Sequence, residues 1–276
     1  MTVQKDAKKN VFILGIGSDI GTALAERYLK QGYSVMGTYR CKNSVKGILA
    51  KYDVCLFKCD AGSKLSIRKC VDKYKKSQKQ WDIFISCVGL MEPIGKFFER
   101  DFDTWEKSVI VNSVSQLRFL HEIYPYRREG QSCHVVFFAG GGTNNPFTNY
   151  SAYCASKIML IKMCELLDDE NKDLNVFIVG PGWVRTKIHL QTLRSAACAG
   201  SNCSRTEHFL KSDKPGTDHQ DIFDCINWCI QQGRAIAGGR NFSVVNDKWR
   251  NSPANLAGEL RADKNKFKLR RFKNNS

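Results

Sequence analysis

Tyr153 and Lys157 lie four residues apart, at the start of a pattern that predicts an amphipathic helix from Ser151 to Asp169. Side chains at positions i and i+4 share one face of a helix, so the lysine ammonium can lie beside the tyrosine ring. A phenol has a reference pKa of about 10, and a nearby positive charge favours its ionised form. This spacing predicts a tyrosine that exchanges protons at neutral pH. An isolated pair of this kind is also compatible with a solvated lysine beside an ordinary helix start.

Three glycines, Gly15, Gly17 and Gly21, separate the apolar run NVFILG from a helical pattern. A tight turn between a strand and a helix lets backbone N–H groups approach a phosphate at the positive end of the helix. We therefore expect a nucleotide site here, and the alternative is a tight turn without a ligand. Asp19 can cap the helix, and since a carboxylate close to a pyrophosphate is unfavourable, we expect it to face ribose or solvent. The residues predicted to form the turn are Gly15, Gly17, Ser18, Asp19, Ile20 and Gly21.

Short apolar runs alternate with helical patterns along the chain, which predicts βαβ units and a parallel sheet. The runs lack polar alternation, as expected where helices cover both faces of a sheet. We predict an α/β fold of the doubly wound Rossmann type, with seven strands in three α/β/α layers. The predicted strands are NVFILG, YSVMGTY, DVCLFKC, WDIFISCVG, HVVFFAG, LNVFIVG and RNFSVVN.

The same alternation of patterns predicts a single domain over residues 1–276, with a core at about 9–247 and an appended basic arm at about 254–276. One long helix is predicted from Asp103 to Tyr124. The segment from Gln191 to Ser204 is small, polar and without pattern, which predicts an insertion or a lid.

Taken together, these motifs resemble the short-chain dehydrogenase/reductase family over about Lys9 to Asp247. The glycine turn is similar to the family's TGxxxGxG, with Leu14 in place of threonine and Asp19 in place of the middle glycine. SCVGL stands where NNAG is usual, so Ser86 and Cys87 replace two asparagines. PGWVRT matches the family's PGxVxT segment, which closes over the nicotinamide. Beyond the turn, the resemblance implies that the cofactor contacts Asp60, Ala61, Val88, Gly89, Tyr153, Lys157, Pro181, Gly182, Val184 and Thr186.

The resemblance also implies a chemistry. In the family the tyrosine exchanges a proton with the substrate oxygen while hydride moves to or from the nicotinamide, whose oxidised form adds a second positive charge. The lysine also holds the ribose hydroxyls, and the asparagine that corresponds to Asn112 supports a water chain that relays protons to it. The implied catalytic residues are Tyr153, Lys157 and Asn112.

The family's serine, thirteen positions before the tyrosine, is replaced by Gly140. Thr143 carries the nearest hydroxyl, and an amide of Asn144 or Asn145, a substrate hydroxyl, a water or backbone N–H groups are alternatives. Loss of one such donor typically costs ~10² to 10³ in rate, which slows an enzyme without abolishing its activity. We therefore expect a catalytic chain, with Thr143 as a stand-in for the serine.

The second predicted strand ends in GTYRCKNS, where Arg40 and Lys42 occur without an acid. An acid there binds the ribose 2′-hydroxyl of NAD, whereas an arginine accommodates the 2′-phosphate of NADP. We expect NADP, with NAD as the alternative.

Composition limits the other classes of function. The formal charge of +16 invites nucleic-acid binding, but the basic residues are spread over helices and tails without a recognition motif, so we expect no such partner. Twelve cysteines without CxxC spacing predict reduced core residues, neither metal ligands nor disulfides. The absence of a signal-peptide core and of a run of ~18 apolar residues predicts a cytoplasmic protein without a membrane segment.

The leading hypothesis is an NAD(P)(H)-dependent oxidoreductase that interconverts a carbonyl and a secondary alcohol, in a homodimer or homotetramer as the resemblance implies. The alternative is a catalytically weakened, cofactor-binding sensor or scaffold, motivated by Gly140. Basic residues after the sixth predicted strand suggest a cationic rim and hence a polar or anionic substrate such as a sugar. The alternative is an ordinary exposed basic loop. The rim is predicted to contain Arg185, Lys187, His189 and Arg194.

Overall fold

The apolar runs form seven strands of one sheet in the computed structural model, which describes residues 8–271. Every neighbouring pair of strands is parallel. The order reverses between the first and fourth strands, and an open parallel sheet has its ligand crevice at such a point, beyond the carboxyl ends of the strands. In spatial order the strands are β3 (Cys55–Lys58), β2 (Ser34–Tyr39), β1 (Asn10–Leu14), β4 (Ile83–Ser86), β5 (Cys133–Phe138), β6 (Leu174–Gly180) and β7 (Asn241–Ser243).

Helices cover both faces of this sheet, which confirms the predicted Rossmann-type fold. Alternate residues of β1 enter two separate cores, Val11 and Ile13 on one face and Phe12 and Leu14 on the other. None of the helices among residues 8–271 is long and apolar enough to cross a membrane. The helices are α1 (Asp19–Lys30), α2 (Lys46–Leu49), α3 (Lys64–Lys76), α4 (Phe102–Val109), α5 (Ser115–Ile123), α6 (Ser151–Glu170), α7 (His189–Arg194), α8 (Ala196–Ala199), α9 (Ser201–Lys211), α10 (His219–Gln232), α11 (Arg234–Ala237) and α12 (Pro253–Ala262).

The long helix predicted from Asp103 to Tyr124 is interrupted. A π-helical turn, Ile110–Val114, separates α4 from α5, and Asn112 lies at its centre. Short π turns inside helices occur often at functional sites, because they change the direction of side chains and free backbone groups for other partners. Periodicity alone did not reveal this interruption.

The segment from Gln191 to Ser204, which we predict to be an insertion or a lid, is largely helical: it contains the end of α7, all of α8 and the first turn of α9. These helices are too short for a clear apolar period. Several of the side chains that they bury are polar, including Thr192 and Asn202.

The predicted core boundary at residue 247 is also too early. α12 buries Leu256, Ala257 and Leu260 in the same core as β1, and the buried guanidinium of Arg240 donates to the carbonyl of Leu260 at 2.7 Å. The chain beyond α12 packs further, since the Phe267 ring lies 5.6 Å from that of Phe242. The described part of the predicted arm, residues 254–271, therefore belongs to the fold. Residues 272–276 and the lysine-rich start, residues 1–7, lie outside the described residues.

Candidate active site

The glycine turn joins the carboxyl end of β1 to α1. Gly15 has φ +83°, a conformation that side chains with a Cβ rarely adopt, and a Cβ on Gly21 would lie 2.5 Å from the carbonyl oxygen of Gly15. Ser18 caps the helix, as its hydroxyl accepts a hydrogen bond from the N–H of Gly21 at 3.0 Å. The Gly21 N–H is thereby engaged within the turn, so an anion at the start of α1 would be bound by the N–H groups that precede it.

Asp19 is placed differently from our expectation, since it neither caps α1 nor faces ribose or solvent alone. Its carboxylate accepts a hydrogen bond from the backbone N–H of Lys187 at 2.7 Å and lies 3.5 Å from the ammonium of the same residue. Lys187 follows the segment Pro181–Thr186, on the opposite side of the crevice. Asp19 thus connects the first turn of α1 to the segment after β6.

The other residues predicted to contact the cofactor follow the carboxyl ends of the strands. Arg40 is exposed after β2, and Asp60 is exposed after β3, where its carboxylate accepts from the N–H of Gly62 at 2.9 Å. Val184 is buried, so its side chain belongs to the core behind the crevice. Those that are exposed or half-buried are Ile20, Ala61, Val88, Gly89, Pro181, Gly182 and Thr186.

Asn112 is fully buried and faces the segment after β4. Its side-chain amide accepts from the N–H of Leu90 at 2.9 Å and donates to the carbonyl of Leu90 at 2.8 Å. A buried amide is costly unless its polar atoms are bonded, so these two contacts fix the segment to the π turn.

Tyr153 and Lys157 share one face of α6, as the spacing predicts. Their exposures are 8 % and 3 %, and the Lys157 ammonium lies 5.6 Å from the centre of the tyrosine ring. The ammonium donates to the carbonyl of Phe138, at the end of β5, at 2.9 Å.

The expectation that nearby positive charge lowers the pKa of Tyr153 is wrong where Lys157 alone supplies that charge. Burial, with a smaller contribution from Cys154, raises the pKa of Tyr153 to about 12. Burial also lowers the pKa of Lys157 to about 8, against the opposing effect of Cys87. The loss of solvation of the phenolate outweighs the attraction that the i, i+4 spacing suggested. The phenol is consequently protonated at neutral pH.

Gly140 is the position of the missing serine, and the phenol of Tyr153 occupies the space beside it. A Cβ on Gly140 would lie 2.2 Å from the tyrosine hydroxyl oxygen and 2.5 Å from Cζ. Gly142, with φ +91°, lies equally close to Cys154, since a Cβ there would be 2.3 Å from its sulfur. Gly140 and Gly142 therefore let the main chain lie directly on the first turn of α6.

The hydroxyl of Thr143 donates to the carbonyl of Gly140 at 3.0 Å. Its proton is thereby engaged in the turn of the glycine loop. Asn144 and Asn145, the alternatives considered from the sequence, are exposed.

The predicted cationic rim is mostly engaged elsewhere. Arg185 donates to the carbonyls of Phe209 and Leu210 at 3.0 and 2.8 Å, near the end of α9. His189 is buried and stacks on Trp183, with ring centres 5.3 Å apart. Lys187 is paired with Asp19, and Arg185, Lys187 and Arg194 are all exposed, whereas His189 is not.

An apolar cluster that the sequence did not reveal surrounds Tyr153. Two side chains of α7 hold it together: Gln191 accepts from the N–H of Met91 at 2.6 Å, and Thr192 accepts from the hydroxyl of Tyr150 at 2.9 Å. Both partners are distant in sequence, so no local pattern signals the contacts. The members of the cluster are Ile94, Tyr150, Tyr153 and Ala199, with Met91, Phe147, Cys154 and Cys203 packed against them.

Comparison with known proteins agrees with this arrangement. An uncharacterized oxidoreductase of Schizosaccharomyces pombe is 25 % identical over 217 residues, which cover 75 % of this chain and 83 % of the relative. A short-chain dehydrogenase/reductase structure from Saccharomyces cerevisiae has a TM-score of 0.76 at 19 % identity, covering 88 % of this chain and 98 % of that one. A putative short-chain dehydrogenase from Shigella flexneri, complexed with NADP, has a TM-score of 0.70 at 17 % identity, covering 86 % and 96 %. The sequence model of the short chain dehydrogenase family matches residues 9–196. The chain therefore belongs to the short-chain dehydrogenase/reductase family of oxidoreductases.

Proposed function

We propose that this chain interconverts a carbonyl and a secondary alcohol with NAD(P)(H), and that Tyr153 is the proton donor and acceptor. The observation that carries the proposal is the buried pair of Tyr153 and Lys157 at the carboxyl end of the sheet, on the same side as the glycine turn. A phenol and an ammonium on one helix face, next to a nucleotide crevice, can move a proton at the atom that receives or gives up hydride.

The residues around the crevice fit a dinucleotide. The N–H groups at the start of α1 that precede Gly21 can bind a pyrophosphate, and the exposed Asp60 can accept from an adenine amino group. The cofactor, when bound, supplies or accepts the hydride. The exposed Arg40 after β2 supports NADP over NAD, because a guanidinium matches a phosphate in charge and geometry.

Carbonyl reduction requires the protonated form of Tyr153. The raised pKa of about 12 keeps the phenol in that form at neutral pH and also makes it a weaker acid, so the proton moves as negative charge develops on the carbonyl oxygen. As hydride adds to the carbonyl carbon, the C=O π electrons move to oxygen, which takes the phenol proton. The Lys157 ammonium on the same helix face stabilises the phenolate that is left.

The contacts of the predicted rim weaken the expectation of an anionic or sugar substrate, because Arg185 and Lys187 bond groups of the protein and His189 is buried. The alternative function, a cofactor-binding sensor or scaffold, is favoured by one observation: the phenol is packed against Gly140.

Replacing Tyr153 with phenylalanine separates these two functions. We expect NADPH-dependent reduction of a carbonyl panel to fall by ~10² to 10⁴ in kcat/KM, with the NADPH Kd little changed, because only the proton donor is removed. In the wild type, alcohol oxidation should speed up as pH rises toward the tyrosine pKa of about 12, since oxidation requires the phenolate. NADPH binding without Tyr153-dependent turnover would instead support the sensor or scaffold.

Restoring the family's serine at Gly140 should impair the protein. The new Cβ would displace the phenol, and overpacking of this kind costs about 1–3 kcal/mol. We expect Gly140→Ser to lower the melting temperature and to reduce kcat at least about tenfold. Gly258→Ser in α12, where a Cβ meets nothing within 4 Å, is the control. A gain in activity on Gly140→Ser would show that the site merely lacks a hydroxyl.

The cofactor preference can be measured at Arg40. Arg40→Gln should weaken NADPH binding about 10- to 100-fold and leave NADH binding nearly unchanged, since a hydrogen bond to a charged group contributes about 1.5–3 kcal/mol. Arg261→Gln removes a similarly exposed charge from α12 and is the control. Equal losses for both cofactors, or no loss, would rule out recognition of the 2′-phosphate by Arg40.

The homodimer or homotetramer stays a prediction, supported by exposed apolar side chains on and beside α4 and α6. Phe98 is 96 % exposed, and Phe102, Met159 and Leu166 are also exposed. We expect light scattering of the full chain to give at least two subunits and Phe98→Glu to shift the distribution toward one. A wild-type protein that is monomeric at micromolar concentration contradicts this.

A further inference from the structure

Gln116 is a fully buried amide in the first turn of α5 that the chemistry described so far does not use. Its Nε2 donates to the carbonyls of Asn112 at 2.6 Å and Val88 at 3.2 Å. Its Oε1 accepts from the hydroxyl of Ser86 at 2.6 Å. One side chain therefore bonds the end of β4, the segment after it and the π turn.

The bond to Asn112 takes an unusual form. In an α-helix the carbonyl of residue i accepts from the backbone N–H of residue i+4. Here the side chain of residue i+4 donates to the carbonyl of Asn112, which lies in the π turn. Gln116 thus holds the carbonyl of Asn112 in a position set by β4.

Two buried amides together fix the path of the segment from Ser86 to Leu90. Asn112 bonds both backbone groups of Leu90, while Gln116 bonds Val88 and Ser86. Between these points lies Gly89, which is exposed at the edge of the crevice. Since Ser86 stands where the family's pattern has an asparagine, the amide absent from the strand is supplied by the helix.

We infer that Gln116 is a positioning residue of the cofactor site, which sets the path of residues 86–90 against the crevice through its bonds to Ser86, Val88 and Asn112. This inference rests on the proposed use of NAD(P)(H). Gln116 touches no reacting group; it acts through the backbone that it holds. Loss of its bonds would leave the carbonyls of Asn112 and Val88 without this donor, and the segment would shift to find other partners.

The test compares Gln116→Leu with Asn175→Leu. Like Gln116, Asn175 carries a fully buried side-chain amide. It lies in the sheet, at the amino end of β6 and away from the crevice, where it bonds the carbonyl of Cys229. We expect both variants to lower the melting temperature. Only Gln116→Leu should raise the NADPH Kd, by about tenfold, and lower kcat as well.

A second pair of variants tests position rather than stability. In Gln116→Ala, the further change Ser86→Asn returns an amide to the strand, and we expect it to recover at least half of the lost NADPH affinity. If Gln116→Leu does not fold, Ser86→Ala keeps Gln116 and removes only the donor to its Oε1. That variant should raise the NADPH Kd about threefold.

The outcomes separate the two proposals. A wild-type chain that binds no NADPH overturns the proposed function. A wild-type chain that binds NADPH and turns over, with Gln116→Leu and Asn175→Leu alike in NADPH Kd and kcat, overturns the role of Gln116 alone. So does an unchanged NADPH Kd in Ser86→Ala.

Discussion

The contact between the Tyr153 phenol and the main chain at Gly140 constrains the rest of the candidate site. A phenol so placed excludes any side chain at position 140, which is why the serine of the family's pattern has no room here. It is also buried, and the cost of burying a phenolate raises the tyrosine pKa to about 12. One packing arrangement therefore removes a hydrogen-bond donor from the site and keeps the tyrosine in its protonated form at neutral pH.

The walls of the crevice are joined by polar contacts between residues that are distant in sequence. Asp19 ties the start of α1 to Lys187, and Gln191 ties α7 to the segment after β4. Gln116 ties that segment to the interrupted helix. Each contact holds a loop whose backbone faces the crevice, so the site depends on a small number of buried or bridging side chains outside the reacting groups.

The strands, the glycine turn and the pairing of Tyr153 with Lys157 could be predicted because each is a local pattern. Apolar runs, glycine spacing and the i, i+4 relation all act over a few residues. Asp19 could not be placed in this way, because its partner is 168 residues away. The basic character of Arg185 predicts a place on a rim, yet Arg185 bonds carbonyls at the end of α9, a helix whose polar sequence hides it. The predicted direction of the tyrosine pKa shift is wrong for a related reason. The sequence shows which charged residues are close along the chain, but it does not show how much water a side chain loses when it is buried.

The central claim is that burial beside Gly140 keeps the phenol of Tyr153 protonated until it meets a carbonyl. Nuclear magnetic resonance of the ¹³Cζ-tyrosine-labelled chain measures this directly, with Tyr153→Phe to assign the signal. The account predicts that the Tyr153 resonance keeps the chemical shift of a neutral phenol up to about pH 11, above the reference pKa of about 10. A titration with a midpoint below about pH 9 would contradict it, because the attraction of Lys157 would then outweigh burial.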